Sequence, residues 1–374
     1  MSGWVRVAGA LLLASLLAAG QSNAPGTAAP SRPPLMLLYD EMPDPARLEQ
    51  LIGLRSFPYR IVYQSVDPDA ARTGRINIVA LLDGIRKDAP GGLPDWGMLD
   101  FEDPFQEVLQ KGPDSDACKA TVRNMVEAMQ AVRATFPGTK WTFYGMPWLP
   151  YWLDRGEDWA TGSAEAKRQA LERATKIYLP LVEAMDWVSP TIYPKYDPTM
   201  MPGILPQVVR EQGRAWRGAQ VGLARLLAKD RPVIPNVCPW WTPGGRARFC
   251  TVVDRAQFIE DQVAPAVSMG ASGLALWGSL GYTVRRITDA DQAKYSKEKD
   301  FGTSEWRTAV TQDYLAGSAP VDWSATEVRV RVMDGLCGTM LRALSDIRVW
   351  ERDGVVPGKV AASGVDSSTQ SPKP

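Results

Sequence analysis

From residue 35 to residue 279 the chain repeats one pattern, and that pattern limits the folds open to it. A short apolar run ends in polar or aromatic residues, and a longer stretch with apolar positions every three or four residues follows several of these runs. The short runs fall at 35–39, 60–63, 76–80, 96–100, 141–145, 187–193, 232–237 and 272–279. Between them, Val122, Met125, Met129, Val132 and Phe136 share a helical face closed by Pro137-Gly138. Ser163 is placed to cap a helix with Leu171, Ala174, Ile177, Leu181 and Met185 on its apolar face. Residues 207–229 read as a long helix. Asp254 opens another, bearing Phe258, Ile259, Val263 and Val267 and stopping at Gly270. Apolar strands alternating with amphipathic helices form parallel βα units. Seven or eight such units predict an α/β, TIM-like (β/α) barrel, for which 374 residues suffice. A doubly wound open sheet is the alternative, but neither G-x-G-x-x-G nor G-x-x-x-x-G-K-[ST] occurs to mark a nucleotide site.

The most informative unit is Trp96-Gly97-Met98-Leu99-Asp100-Phe101-Glu102-Asp103-Pro104-Phe105. Strand side chains alternate, so Asp100 and Glu102 face one way and Leu99 and Phe101 the other. Two like charges this close raise each other's proton affinity, and one can stay protonated near neutral pH as a general acid. A solvated strand end is the structural alternative. Tyr144 and Tyr193 stand at two other strand ends, where satisfied core tyrosines are also common.

Composition narrows the chemistry. The sequence contains no histidine, which removes Ser-His-Asp catalysis and every His-ligated metal site. Basic and acidic residues balance at 42 each, so no nucleic-acid footprint is visible. Carboxylates and tyrosines are left to carry acid–base work, with no cofactor and no metal expected. Some of the 14 tryptophans could stack on sugars; Trp148, Trp152, Trp240 and Trp241 are candidates, each of which could equally be ordinary packing.

Arg6, the apolar run 8–19 and the small residues after it read as a signal peptide over 1–20, too short for a stable membrane span. Residues 21–34 read as a flexible linker, 35–350 as one catalytic barrel with a C-terminal extension, and 357–374 as a disordered tail. A secreted or periplasmic location follows, with no membrane attachment after cleavage. An even cysteine count in an oxidising compartment favours disulfides, with Cys238–Cys250 and Cys118–Cys337 the first pairing expected of three possible connectivities.

Five patches resemble the hyaluronidases of the animal and venom type: Leu99-Asp100-Phe101-Glu102, Phe143-Tyr144-Gly145-Met146-Pro147, Ser189-Pro190-Thr191-Ile192-Tyr193, the run 232–241, and residues 270–279 with Leu276-Trp277-Gly278-Ser279. The resemblance implies an atypical seven- or eight-stranded barrel. It also implies retaining cleavage of β-linked N-acetylhexosamine polysaccharide, in which the substrate's own acetamido oxygen is the nucleophile. Glu102 would then be the proton donor and later the base, and Asp100 would orient the acetamide. Tyr144, Tyr193 and Trp277 would surround that group; Ser279, in the last patch, and Trp148, from the aromatic loop, are further candidates for binding substrate. The match departs at Asp103-Pro104-Phe105, where the family usually carries Trp-Arg-Pro; an acid in place of a base disfavours a polyanionic glycan. A chitinase-like barrel shares the reaction, but its D-x-x-D-x-D-x-E motif is broken by Met98. A non-catalytic carbohydrate-binding barrel is the alternative from another class.

Overall fold

The computed structural model describes residues 35–40, 55–154, 156–195, 203–238, 255–276, 346–347, 350–354 and 356. Its centre is a parallel sheet of β1 (Met36–Asp40), β2 (Arg55–Tyr63), β3 (Trp96–Asp100), β4 (Lys140–Phe143), β5 (Asn236–Val237) and β6 (Gly273–Leu276). The strand order is β4-β3-β2-β1-β6-β5, every pairing parallel. Parallel neighbours require a crossover, and helices supply most of them.

The two ends of this order meet through residues 188–191. Ser189 bridges Tyr144 just past β4, while Val188 and Thr191 bridge Val233 and Asn236 on the β5 side. Backbone bonds Val188 N to Pro232 O (2.9 Å) and Ile192 N to Asn236 O (3.0 Å) run along that seam. Adding this segment to the six strands closes a ring of seven. The α/β barrel expected from the alternating pattern is therefore the fold.

Alternation along each strand separates two cores. Leu38, Tyr59, Ile61, Trp96, Met98, Trp187, Ile234 and Ala275 fill the barrel interior. Their neighbours Leu37, Val62, Leu99, Trp141 and Phe143 face the helical layer. That layer contains α1 (Ala70–Thr73), α2 (Ile78–Asp88), α3 (Phe105–Gln110), α4 (Asp116–Thr135), α5 (Ala164–Ala184) and α6 (Pro206–Ala228). A last helical run, 255–268, comprises α7 (Arg255–Phe258), a π-helical turn Ile259–Val263 and α8 (Ala264–Ser268). Ser163 caps α5 by accepting from Ala166 N at 3.1 Å. Gly270, at φ +85°, takes the left-handed turn after α8 that favours glycine. Among the described residues no helix is long and apolar enough to cross a membrane.

One expectation needs correction. Residues 76–80 were expected to form a strand and instead open a helix. Asn77 accepts from Ala80 N (3.3 Å) as the N-cap of α2, whose Leu81 and Ile85 are buried one turn apart while Val79 is 70% exposed. A β-branched run looks like a strand until the cap is recognised. Each expected disulfide joins a described cysteine to one outside the described residues, and among the described residues themselves no disulfide forms. Cys118 is a buried free thiol directed at Leu109 O (3.8 Å), and burial pushes its proton affinity up. Cys238 is buried at the end of β5, where the Gln262 side chain brackets its backbone N–H (3.1 Å) and carbonyl (2.8 Å). Cys250 and Cys337 lie outside the described residues, as do the leader, linker and tail segments.

Candidate active site

The site forms at the C-terminal mouth of the barrel, where β3, β4 and the 188–191 segment end side by side. Asp100 closes β3 on the same face as Trp96 and Met98, so its carboxyl belongs to the barrel interior. It is only 8% exposed, and its Oδ1 has no hydrogen-bond partner among the described residues. Burial, and then the neighbouring charge of Glu102, push its pKa up to about 7. Glu102 sits at the solvent-reachable rim. Its carboxyl is also raised above the ordinary range, first by partial burial and then by Asp103.

The backbone carrying these acids is held from both sides. Gln64, in the turn after β2, accepts from Glu102 N (3.2 Å) and donates to Asp103 O (3.2 Å). Phe101, on the opposite face, packs edge-on against Phe105 with ring centroids 5.3 Å apart. Gln106 N donates to Glu102 O at 3.1 Å, so α3 begins directly beneath the acid pair.

Tyr144 follows β4, and its N–H donates to Leu99 O at 2.9 Å, which sets it beside the end of β3. Gly145 then turns at φ +73°, its missing side chain leaving space near Thr191 Oγ1. Tyr144 and Tyr193 lie with ring centroids 6.3 Å apart, tilted by 41°. Burial raises both phenols well above their usual range, the nearby carboxylates adding to the effect at Tyr144, so both remain protonated through neutral pH.

Glu102, Tyr144, Tyr193 and Trp148 all line one cavity of about 160 Å³. Asp100 lies buried beside it, not on its wall. Trp277, Ser279, Trp240 and Trp241 lie outside the described residues, and Trp152 packs against the outer core. The wall also contains residues that sequence reasoning passed over: Gln106, Gly145, Tyr151, Thr191, Lys195 and Trp216. Gln106 lies one helical turn beyond Glu102 and Lys195 two residues beyond Tyr193, so periodicity could have flagged both. Trp216 and Tyr151 reach the cavity only through tertiary packing, their rings 5.3 Å apart and edge-on. Lys195 forms an ion pair with Asp154, linking the two loops over the mouth, and burial lowers its proton affinity. A mouth with one protonatable acid at the rim, a second buried beside it and two neutral phenols can deliver a proton to a bound oxygen and take one back.

No family model matches the sequence, and no curated protein matches it. Among solved structures, the chain is similar to bee venom hyaluronidase at 14% identity and a TM-score of 0.46, covering 70% of this chain and 96% of that one. The same enzyme in complex with a hyaluronic acid tetramer matches at 18% identity and a TM-score of 0.45, over 70% and 95% of the two chains. The endo-1,4-beta-D-mannanase of Thermotoga petrophila RKU-1 matches at 14% identity and a TM-score of 0.35, over 65% and 63%.

Proposed function

We propose that the chain is an exported glycoside hydrolase that cleaves β-linked N-acetylhexosamine polysaccharide with retention of configuration. Glu102 protonates the leaving oxygen and later activates water. The substrate's acetamido oxygen attacks the anomeric carbon, and Asp100 orients and polarises that acetamide. Tyr144 and Tyr193 donate hydrogen bonds to the same group, while Trp148 offers a face for a sugar ring.

The observation that carries this reading is the acid pair itself. Two carboxyls two residues apart both hold protons more tightly than usual, and one stands on the wall of an aromatic cavity. Among the described residues Glu102 is the only carboxylate on that wall. A retaining enzyme with a protein nucleophile needs a second carboxyl about 5–5.5 Å away, whereas substrate assistance does not. The resemblance of the strand-end motifs supports the same assignment.

For the substrate, exposed Asp103 beside Glu102 favours a neutral or weakly charged polymer over hyaluronan. Digestion of hyaluronan, chondroitin and chitin oligomers, followed by assay of new reducing ends, tests both class and preference. Binding without new ends would favour the carbohydrate-binding alternative. Export is tested by the intact mass of the mature chain, expected to begin near Gln21.

A further inference from the structure

Behind the aromatic wall, α6 turns a polar row inward. Gln212, Trp216 and Gln220 recur every four residues on one helical face, and Arg217 lies beside them. None of the four is more than 4% exposed. Buried amides and guanidinium groups are costly unless their bonds are met, so what they bond to shows what they do.

Gln220 bonds to two loops at once. Its Oε1 accepts from Leu149 N at 2.6 Å, and its Nε2 donates to Pro147 O and to Thr191 O, each at 3.3 Å. One backbone donor and two carbonyls permit only this orientation of the amide. The first two partners flank Trp148 on either side. The third lies two residues before Tyr193. Trp216 Nε1 adds a bond to Leu149 O (2.9 Å), and Arg217 Nε one to Ile192 O (3.0 Å). Gly213 makes room for Arg217, since a side chain there would begin 2.9 Å from the guanidinium.

We propose that Gln220 is a positioning residue that fixes Trp148 relative to Tyr193, so that the loops after β4 and after the 188–191 segment act as one rigid wall. Its consequence for turnover rests on the glycosidase reading above; the mechanical coupling does not. An apolar residue would fill the same volume without joining the loops.

The test uses Gln220→Met, which keeps the bulk and removes all three bonds, and Gln220→Glu, which keeps the acceptor and loses at least one donor. Gln212→Ala is the control, since Gln212 serves Ala160 and Asp158 away from the cavity. Amide hydrogen exchange is read at Leu149 and Ile192, the latter bonded to Asn236 O. In Gln220→Met both amides should exchange faster together. In Gln220→Glu, Leu149 should stay protected while Ile192 loosens. On a cleaved substrate, Gln220→Met should lose roughly 10–100-fold in kcat even at saturation, because misplaced groups react poorly once bound. Gln212→Ala should lower the melting temperature with kcat unchanged. Ile192 exchanging at the parent rate in both Gln220 variants would overturn the proposal. If the parent cleaves no glycan, the glycosidase reading falls, and the exchange data still decide the coupling.

Discussion

Asp100 lies buried directly before the rim on which Glu102 stands, and the charge of Glu102 adds to burial in holding the Asp100 proton to about pH 7. The two carboxyls therefore titrate as a pair rather than as independent acids. This arrangement is stored in the native state at a cost that depends on pH.

The sign follows from linkage. Native Asp100 keeps its proton well above the ordinary 3.8 at which the unfolded chain releases it. Its contribution to stability therefore falls as pH rises from about 4 through 7. Asp100→Asn keeps a neutral group of the same shape, so its melting temperature should exceed the parent's by roughly a few degrees at pH 8, with the gap closing towards pH 4. Melts across this range check it; a pH-independent gap would contradict it.

Asp103 raises the proton affinity of Glu102. Removing that charge in Asp103→Asn lets Glu102 lose its proton at lower pH. The alkaline limb of the pH–rate profile should move to lower pH, and the shift should shrink in high salt because Asp103 is exposed. An alkaline limb that stays in place would separate Asp103 from the acid.

Tyr193→Phe removes a hydroxyl beside that of Tyr144 while keeping the ring. A single hydrogen bond is worth about 1 kcal/mol, so kcat should fall by roughly fivefold with sugar binding nearly unchanged. Steady-state kinetics and equilibrium binding to an oligosaccharide measure the two separately.

The β1–β6 pairing sets Gly273 directly against Met36. A Cβ there would lie 2.6 Å from Met36 O, a backbone atom with no freedom to yield. Gly273→Ala should destabilise by about 1–3 kcal/mol, read by denaturant titration.

Much of the barrel was legible because strand alternation and helical periodicity leave strong marks: residues 96–100, 141–145 and 163–185 read nearly as they fold. Tyr144 and Tyr193 could be placed at strand ends, and parallel register brings those ends together. Residues 76–80 misled because Ile78, Val79 and the neighbouring apolar residues suit a strand as well as a helix, and the decision lay in the Asn77 cap. Gln220 was hidden for a different reason. A glutamine on a long helix reads as a solvent-facing residue, and only the packing of α6 against two distant loops makes it a buried one.

The most direct measurement compares the parent and Glu102→Gln on a neutral N-acetylhexosamine polymer, counting new reducing ends while circular dichroism confirms equal folding. The substitution keeps shape and hydrogen bonding but removes the transferable proton. A drop of about 10²–10⁴ in rate is the expected result; cleavage by Glu102→Gln as fast as by the parent would contradict the account.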